Sequence, residues 1–115
     1  MYKFSYDEML EEVPDESRKR EKRALDHSIE MLKAAAVAGP ESREAAEAVV
    51  FLNKLWTILV EDLSSPENDL PQELRAQIIS IGIWILKEAQ RIRIGEVTSF
   101  DGLISVSEMI CEGLR

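Results

Sequence analysis

The fold is decided by the stretch Ile78-Ile79-Ser80-Ile81-Gly82-Ile83-Trp84-Ile85-Leu86, where apolar residues run almost without a break. Isoleucines suit a buried strand, but the flanking residues 71–77 and 87–91 have the composition of a helix, with Pro71 at a position that a first turn tolerates. Apolar residues recur at helical spacing from Leu74 to Ile92, and Gly95 is a suitable stop. We predict one long helix, apolar nearly all round in its middle and therefore surrounded by other helices. The run is too short to span a membrane, which takes about 20 residues.

Length and composition indicate a single helical domain over residues 1–115. A chain of 115 residues with 45% hydrophobic content is typical of one domain with one core. Residues 1–14 form either a mobile arm or a short helix. With 14 basic and 22 acidic residues the net charge is −8, which disfavours nucleic acid and anionic membranes as partners. One cysteine and the lack of an apolar signal sequence favour a cytoplasmic location.

Three further segments have helical periodicity. The first runs over residues 16–38, with Asp15 as N-cap after Pro14 and a stop at Gly39-Pro40. The second runs over residues 41–63 and forms an antiparallel hairpin with the Ile-rich helix through the turn at 64–71. The last follows a capping box of Thr98 and Asp101. No segment alternates like a strand, so the predicted fold is all-α: a small bundle of four main helices, with or without a short extra N-terminal helix.

The chain lacks the usual signs of catalysis or metal binding. His27 is the only histidine and lies near the edge of an apolar stripe, which favours a packed or half-exposed structural histidine over a ligand. Cys111 follows Ile110 and is expected to be a buried, inert thiol. There is no glycine-rich phosphate loop, nucleophile elbow or metal-ligand spacing. We therefore expect no enzymatic activity, no catalytic residue, no cofactor and no metal site.

Two other features have a structural and a functional interpretation. The basic run from Arg18 to Arg23 could contact RNA phosphates or an acidic protein. A solvated start of a helix is favoured, because aromatic stacking partners and further basic clusters are missing. Trp56 and Trp84 could be interface anchors, but their positions on the two central helices favour core packing.

Many positions together resemble the FlaF family of bacterial flagellar biosynthesis regulators. They include Leu55-Trp56, Leu59, Asp62-Leu63, Asn68, Leu70-Pro71, Leu74-Arg75-Ala76, Ile79-Ser80-Ile81-Gly82 and Trp84, with Ala24-Leu25-Asp26-His27, Gly39-Pro40 and the stretch from Gly102 to Leu114. The resemblance covers nearly the whole chain, apart from the basic run and the extreme amino terminus. It implies a small cytoplasmic protein needed to produce and export flagellin, acting with the partner regulator FlbT, which is linked to flagellin messenger RNA. The family has no established catalytic residues.

Two mechanisms are compatible with this resemblance. In the first, the protein is a secretion chaperone that binds an apolar-striped helical segment of flagellin in a groove and thereby couples export to synthesis. The alternative is a post-transcriptional regulator of flagellin translation, acting through FlbT or the messenger RNA; direct RNA binding fits poorly with the net charge. A third hypothesis is a structural bundle that dimerises through the Ile-rich helix, so the protein is a monomer or a homodimer. The candidate partner-binding residues are Tyr2, Phe4, Tyr6, Leu10, Ile104, Met109 and Ile110.

Overall fold

The structure is a computed structural model that describes the backbone of residues 13–113 and the side chains of residues 19–113. Within this range it contains four α-helices and no strand: α1 (Val13–Ala38), α2 (Arg43–Ser64), α3 (Gln72–Arg93) and α4 (Asp101–Gly113). The predicted all-α bundle of four main helices is confirmed. The short extra N-terminal helix falls on residues outside the described range.

The ends of α1 and α2 differ slightly from those expected. Asp15 is not an N-cap, because α1 already begins at Val13 and Pro14 lies in its first turn, where a missing N–H costs nothing. Gly39 ends α1 with a φ of 106°, a conformation that favours glycine. Ser42, rather than the predicted region around Glu41, starts α2: its Oγ accepts a hydrogen bond from the N–H of Ala45 at 3.0 Å.

The connection between α3 and α4 also differs from the predicted capping box. Gly95 ends α3 as expected, with a φ of 87°. Thr98 does not pair with Asp101; instead the Oγ of Ser99 accepts a hydrogen bond from the N–H of Asp101 at 3.1 Å. The first helical bond of α4 runs from the N–H of Ile104 to the carbonyl of Phe100, whose side chain is buried in the core. Burial of Phe100 thus fixes where α4 begins.

The helix α2 lies between α1 and α3 and is antiparallel to both. The start of α3 contacts the end of α2, since the guanidinium of Arg75 reaches the carbonyl of Leu63, while Ile92 at the other end lies beside Ala45. The helix α4 packs mainly on α1. Among the neighbouring helix pairs, α3 and α4 have the smallest contact. In the described part of the chain no Cα atom of α1 lies within 8 Å of a Cα atom of α3. The core contains most of the predicted apolar stripes, among them Leu25, Leu32, Leu52, Trp56, Leu59, Ile85, Ala89, Ile92 and Leu103.

A glycine allows α2 and α3 to approach each other closely. A Cβ atom at Gly82 would lie 2.7 Å from Cε3 of Trp56 and 3.0 Å from Cγ2 of Val60. The indole ring of Trp56 is fully buried against the backbone of α3 at this point. Trp56 therefore packs in the core, as its position predicted.

Candidate partner-binding surface

A polar cluster holds the turn between α2 and α3. Arg75 donates hydrogen bonds from Nε to the carbonyl of Leu70 and from Nη1 to the carbonyls of Leu63 and Ser65, each at 3.1 Å. The side-chain amide of Asn68 donates to the backbone and carboxylate oxygens of Asp62 at 3.2 Å. These contacts satisfy carbonyls that a helix end leaves unpaired, and a cation there is favoured by the helix dipole. The cluster sets the position of α3 on α2.

The side of α3 that faces away from the core is apolar and exposed. The side chains of Ile83 and Trp84 are 44% and 41% exposed, although both belong to the run that was predicted to be surrounded. That prediction, and the core position of Trp84, are wrong. One side of α3 is buried in the core and includes Gly82, Ile85 and Ala89. The short α4 contacts α3 too little to cover the opposite side.

We define the α3 outer face by six residues on three turns of the helix. Ile83 and Trp84 are exposed, Ile79 and Leu86 are half-buried beside them, and two cationic side chains lie at the border. Part of this surface is a shallow depression of about 460 Å³. The six residues are Ile79, Ile83, Trp84, Leu86, Lys87 and Arg91.

Trp84 connects the α3 outer face to the start of α4. A Cβ atom at Gly102 would lie 3.4 Å from Cη2 of Trp84, so the indole ring rests on the glycine at van der Waals distance. Trp84 as a whole is 41% exposed. A tryptophan held at one edge and open on the other is suited to interface contact, since tryptophan is enriched among the residues that carry binding energy.

The helix segment that carries the exposed apolar residues of the α3 outer face lacks the acidic residues that dominate the rest of the chain. From Leu74 to Lys87 there is no acidic residue, in a chain whose net charge is −8. Lys87 borders the exposed isoleucine, and Arg91 lies one turn further on, with its guanidinium 3.1 Å from the carboxylate of Glu88 and 3.5 Å from that of Glu96. An apolar patch with a lysine beside it can bind an amphipathic helix that carries an acidic residue next to its apolar stripe.

Other exposed apolar side chains do not form a comparable surface. Val37 is exposed on α1, Ile58 on α2 and Ile94 at the C-cap of α3, and isolated exposed apolar residues are common on soluble proteins. Val50 lies with Met31 in a second depression of about 410 Å³ between α1 and α2, which is lined in part by Glu47 and Lys54. The α3 outer face differs from these sites because it contains an exposed tryptophan and adjacent apolar neighbours.

The predicted partner-binding residues are dispersed. Tyr2, Phe4, Tyr6 and Leu10 lie outside the described residues. On α4, Met109 is 59% exposed, whereas Ile104 and Ile110 are half-buried and pack against the core. Ile104 lies one turn before Glu108, on the side of α4 that faces α1, while Ile110 lies two turns after Gly102, on the side that faces α3. The structure does not bring these two isoleucines to one edge of a groove, and the role of all seven residues stays a prediction.

Ile83 was not among the contact residues expected from the sequence, and Trp84 was considered as an interface anchor but expected in the core. Periodicity identifies the helix, but a helix that is apolar all round gives no indication of which side its neighbours cover. Two signals were present: the absence of acidic residues between Leu74 and Lys87, and the shortness of α4, which has 13 residues against 22 in α3.

The single histidine and the single cysteine each contact a side chain of another helix. The ring of His27 contacts that of Phe51 edge to face, with centroids 5.0 Å apart. Cys111 is buried and its Sγ donates to Oδ1 of Asp26 at 2.9 Å. Residues 19–113 contain no group of three histidine, cysteine or acidic side chains placed to hold a metal ion. None of the helices described is both long and apolar enough to cross a membrane.

The comparison with known protein families agrees with the resemblance noted in the sequence. No curated protein and no solved structure matched the chain. The family model described as "Flagellar protein FlaF" matches residues 2–114. This match includes the turn held by Arg75, the close approach at Gly82 and the whole of α3. The chain therefore belongs to the FlaF family of flagellar proteins.

Proposed function

We propose that this flagellar protein binds flagellin in the cytoplasm as a secretion chaperone and thereby couples flagellin export to flagellin synthesis. The observation that carries the proposal is the α3 outer face, where Ile83 and Trp84 are exposed on a helix whose other side is buried in the core. Each Å² of apolar surface removed from water contributes roughly 25 cal/mol. Binding a partner helix would therefore stabilise the complex by covering this surface.

The geometry suits a helical segment better than an extended one. The apolar residues of the α3 outer face extend from Ile79 to Leu86, about 10 Å along the helix at 1.5 Å per residue, and Lys87 and Arg91 follow in the next turns. An amphipathic helix can lay its apolar stripe along these residues, with contacts at intervals of three and four residues. A segment of flagellin with that pattern would be kept from assembling while its apolar stripe is covered. The face has no sheet edge to which an extended chain could add.

Regulation of translation is proposed to follow from flagellin binding rather than from direct contact with RNA. Two basic side chains of α1 are ion-paired: Nζ of Lys22 lies 3.3 Å from Asp26, and Nζ of Lys33 lies 3.2 Å from Glu108. With a net charge of −8, non-specific attraction to RNA phosphates is weak. We propose that the free and the flagellin-loaded protein differ in their availability to FlbT, which would carry the signal to the transcript.

The test is a pair of binding titrations at physiological salt, one with monomeric flagellin and one with the leader RNA of a flagellin message. Saturable binding of flagellin and no binding of RNA is expected. Binding of RNA without binding of flagellin would overturn the proposal and make the basic run from Arg18 to Arg23 the first segment to mutate. The same samples report the oligomeric state, and an obligate dimer that buries the α3 outer face would exclude this face as the flagellin site.

A further inference from the structure

We infer that two copies of this chain associate through the depression between α1 and α2, with their α2 helices antiparallel. The surface that fills the depression is the same surface of the second copy, as in most dimers of identical chains. None of the six residues of the α3 outer face lines this depression. The inference therefore does not rest on the proposed function.

The centre of the depression is apolar and open to solvent. Four of its six lining residues are apolar, namely Met31 of α1 and Ala46, Val50 and Phe51 of α2. Val50 is 53% exposed, and the ring of Phe51 lies edge to face against that of His27. Ala46 lies one turn before Val50 and has only a methyl group, so another helix can approach α2 closely here. Covering this centre removes apolar surface from water, which favours association.

The two charged residues of the depression have opposite signs and lie on either side of the apolar centre. Glu47 precedes Val50 by three residues and Lys54 follows Phe51 by three, so the two charges are about 10 Å apart along α2. Among the described residues Lys54 has neither an ion pair nor a hydrogen bond. Glu47 contacts Arg43 through Oε2 at 3.7 Å, and both side chains are exposed. Its Oε1 can therefore accept a second cation.

A twofold axis between Val50 and Phe51 places each of these charges opposite its counterpart. When two α2 helices cross antiparallel at this point, Glu47 of each copy faces Lys54 of the other, because both positions are equally far from the axis. Val50 of each copy likewise faces Phe51 of the other. A parallel arrangement would bring like charges together, which disfavours association. The order of acid, apolar pair and base on one helix face is thus self-complementary.

The apolar contact supplies most of the affinity, and the ion pairs set the orientation. Exposed ion pairs contribute little to stability, but like charges in the same positions oppose the contact. An interface formed by one shallow depression on each copy is small and belongs to the weak, reversible class. We therefore expect a dimer that forms as the protein concentration rises from micromolar towards millimolar.

The test exchanges the two charges in the full chain and measures association by analytical ultracentrifugation. Glu47→Lys and Lys54→Glu each place like charges opposite one another, so each variant should dimerise at least about tenfold more weakly than the natural chain. The double variant Glu47→Lys/Lys54→Glu restores both pairs and should dimerise like the natural chain. An equimolar mixture of the two single variants should form a mixed dimer, in which both pairs again have opposite charges.

The control is Glu67→Lys, in the turn after α2, which changes the net charge as much as Glu47→Lys does. It should dimerise like the natural chain. The inference is overturned if the natural chain stays monomeric over this concentration range, or if Glu67→Lys weakens association as much as Glu47→Lys. It is also overturned if the mixture of single variants associates no better than each variant alone.

A second measurement uses only the natural chain and so does not depend on the folding of any variant. Amide chemical shifts are recorded by NMR as the protein concentration is raised. Changes concentrated at residues 46–54 are expected. Changes concentrated at residues 79–86 would place the contact on the α3 outer face instead, and this outcome, like the absence of any change, would overturn the inference.

Discussion

Gly82 of α3 lies against the indole ring of Trp56 of α2, so closely that a Cβ atom would be 2.7 Å from Cε3. Both groups are in the interior, and Trp56 is fully buried. This contact fixes the depth at which α3 sits on α2. Because Trp84 follows Gly82 by two residues on the same helix, it also fixes which side of α3 remains exposed.

We predict that Gly82→Ala destabilises the protein although alanine is the better helix former. The gain in helix propensity is about 1 kcal/mol, whereas forcing a methyl group into a packed interior costs about 1 to 3 kcal/mol and here meets ring carbons that cannot move aside easily. Thermal unfolding followed by circular dichroism should show a lower Tm.

The matched control for this substitution is Gly102→Ala in the first turn of α4. There the new Cβ would meet the ring of Trp84 at 3.4 Å, an ordinary contact with a half-exposed side chain. A neutral or slightly raised Tm is expected. Equal destabilisation by both substitutions would show that the close approach at Gly82 does not limit the packing of α3.

Arg75 provides the second prediction. Its guanidinium donates to three carbonyls in two directions, from Nε and from Nη1, and a lysine ammonium cannot reproduce this planar geometry. Arg75→Lys should reduce the free energy of unfolding by about 1 to 3 kcal/mol, since partly buried carbonyls lose charged donors.

Arg93→Lys is the control for Arg75→Lys, because Arg93 donates only to the exposed side chain of Gln90 in the described structure. A change within about 0.5 kcal/mol is expected, as for most surface substitutions. Urea unfolding measures both variants. A similar effect of the two would contradict the role assigned to the Arg75 cluster.

The third prediction concerns the thiol of Cys111, which was expected from the sequence to be buried and inert. It is buried and donates to Asp26. A thiol-specific reagent should modify it at least about tenfold more slowly than a cysteine at exposed Ser105, because modification needs a local opening that reduces the reactive population tenfold for each 1.4 kcal/mol. The comparison uses Ser105→Cys combined with Cys111→Ala. Equal rates would contradict the buried position.

The sequence was sufficient to predict the helices and most of the core. In α2 the apolar stripe of Leu52, Trp56, Leu59 and Leu63 has one clear direction, and all four side chains are buried. The glycine stops at 39 and 95 were also predicted, since both have positive φ. These features depend on spacing and backbone conformation, which are local properties.

The exposed face of α3 and the Arg75 cluster depend on distant parts of the chain. Apolar residues lie on all sides of α3, so spacing does not determine which side is buried. The buried side depends on where Gly82 lets α2 approach and on how much of α3 the short α4 covers. The partners of Arg75 lie 5 to 12 residues away and are backbone carbonyls, which have no sequence signature. Periodicity alone therefore placed Trp84 in the core.

Binding of the flagellin segment to the α3 outer face can be tested with a pair of isoleucine substitutions. Ile83 on α3 and Ile58 on α2 are exposed to similar extents, 44% and 52%. Introducing glutamate at either site should change the free energy of unfolding by only about 0.5 kcal/mol, as for other exposed positions. Both variants can therefore be compared as folded proteins.

The two variants, Ile83→Glu and Ile58→Glu, are titrated with monomeric flagellin, and the Tm of each is recorded. This measurement decides whether flagellin binds the α3 outer face. We expect Ile83→Glu to weaken binding at least about tenfold, or 1.4 kcal/mol, because it places a charge in an apolar contact, and Ile58→Glu to bind like the natural chain. Equal affinities for the two variants would contradict the claim that flagellin binds the α3 outer face.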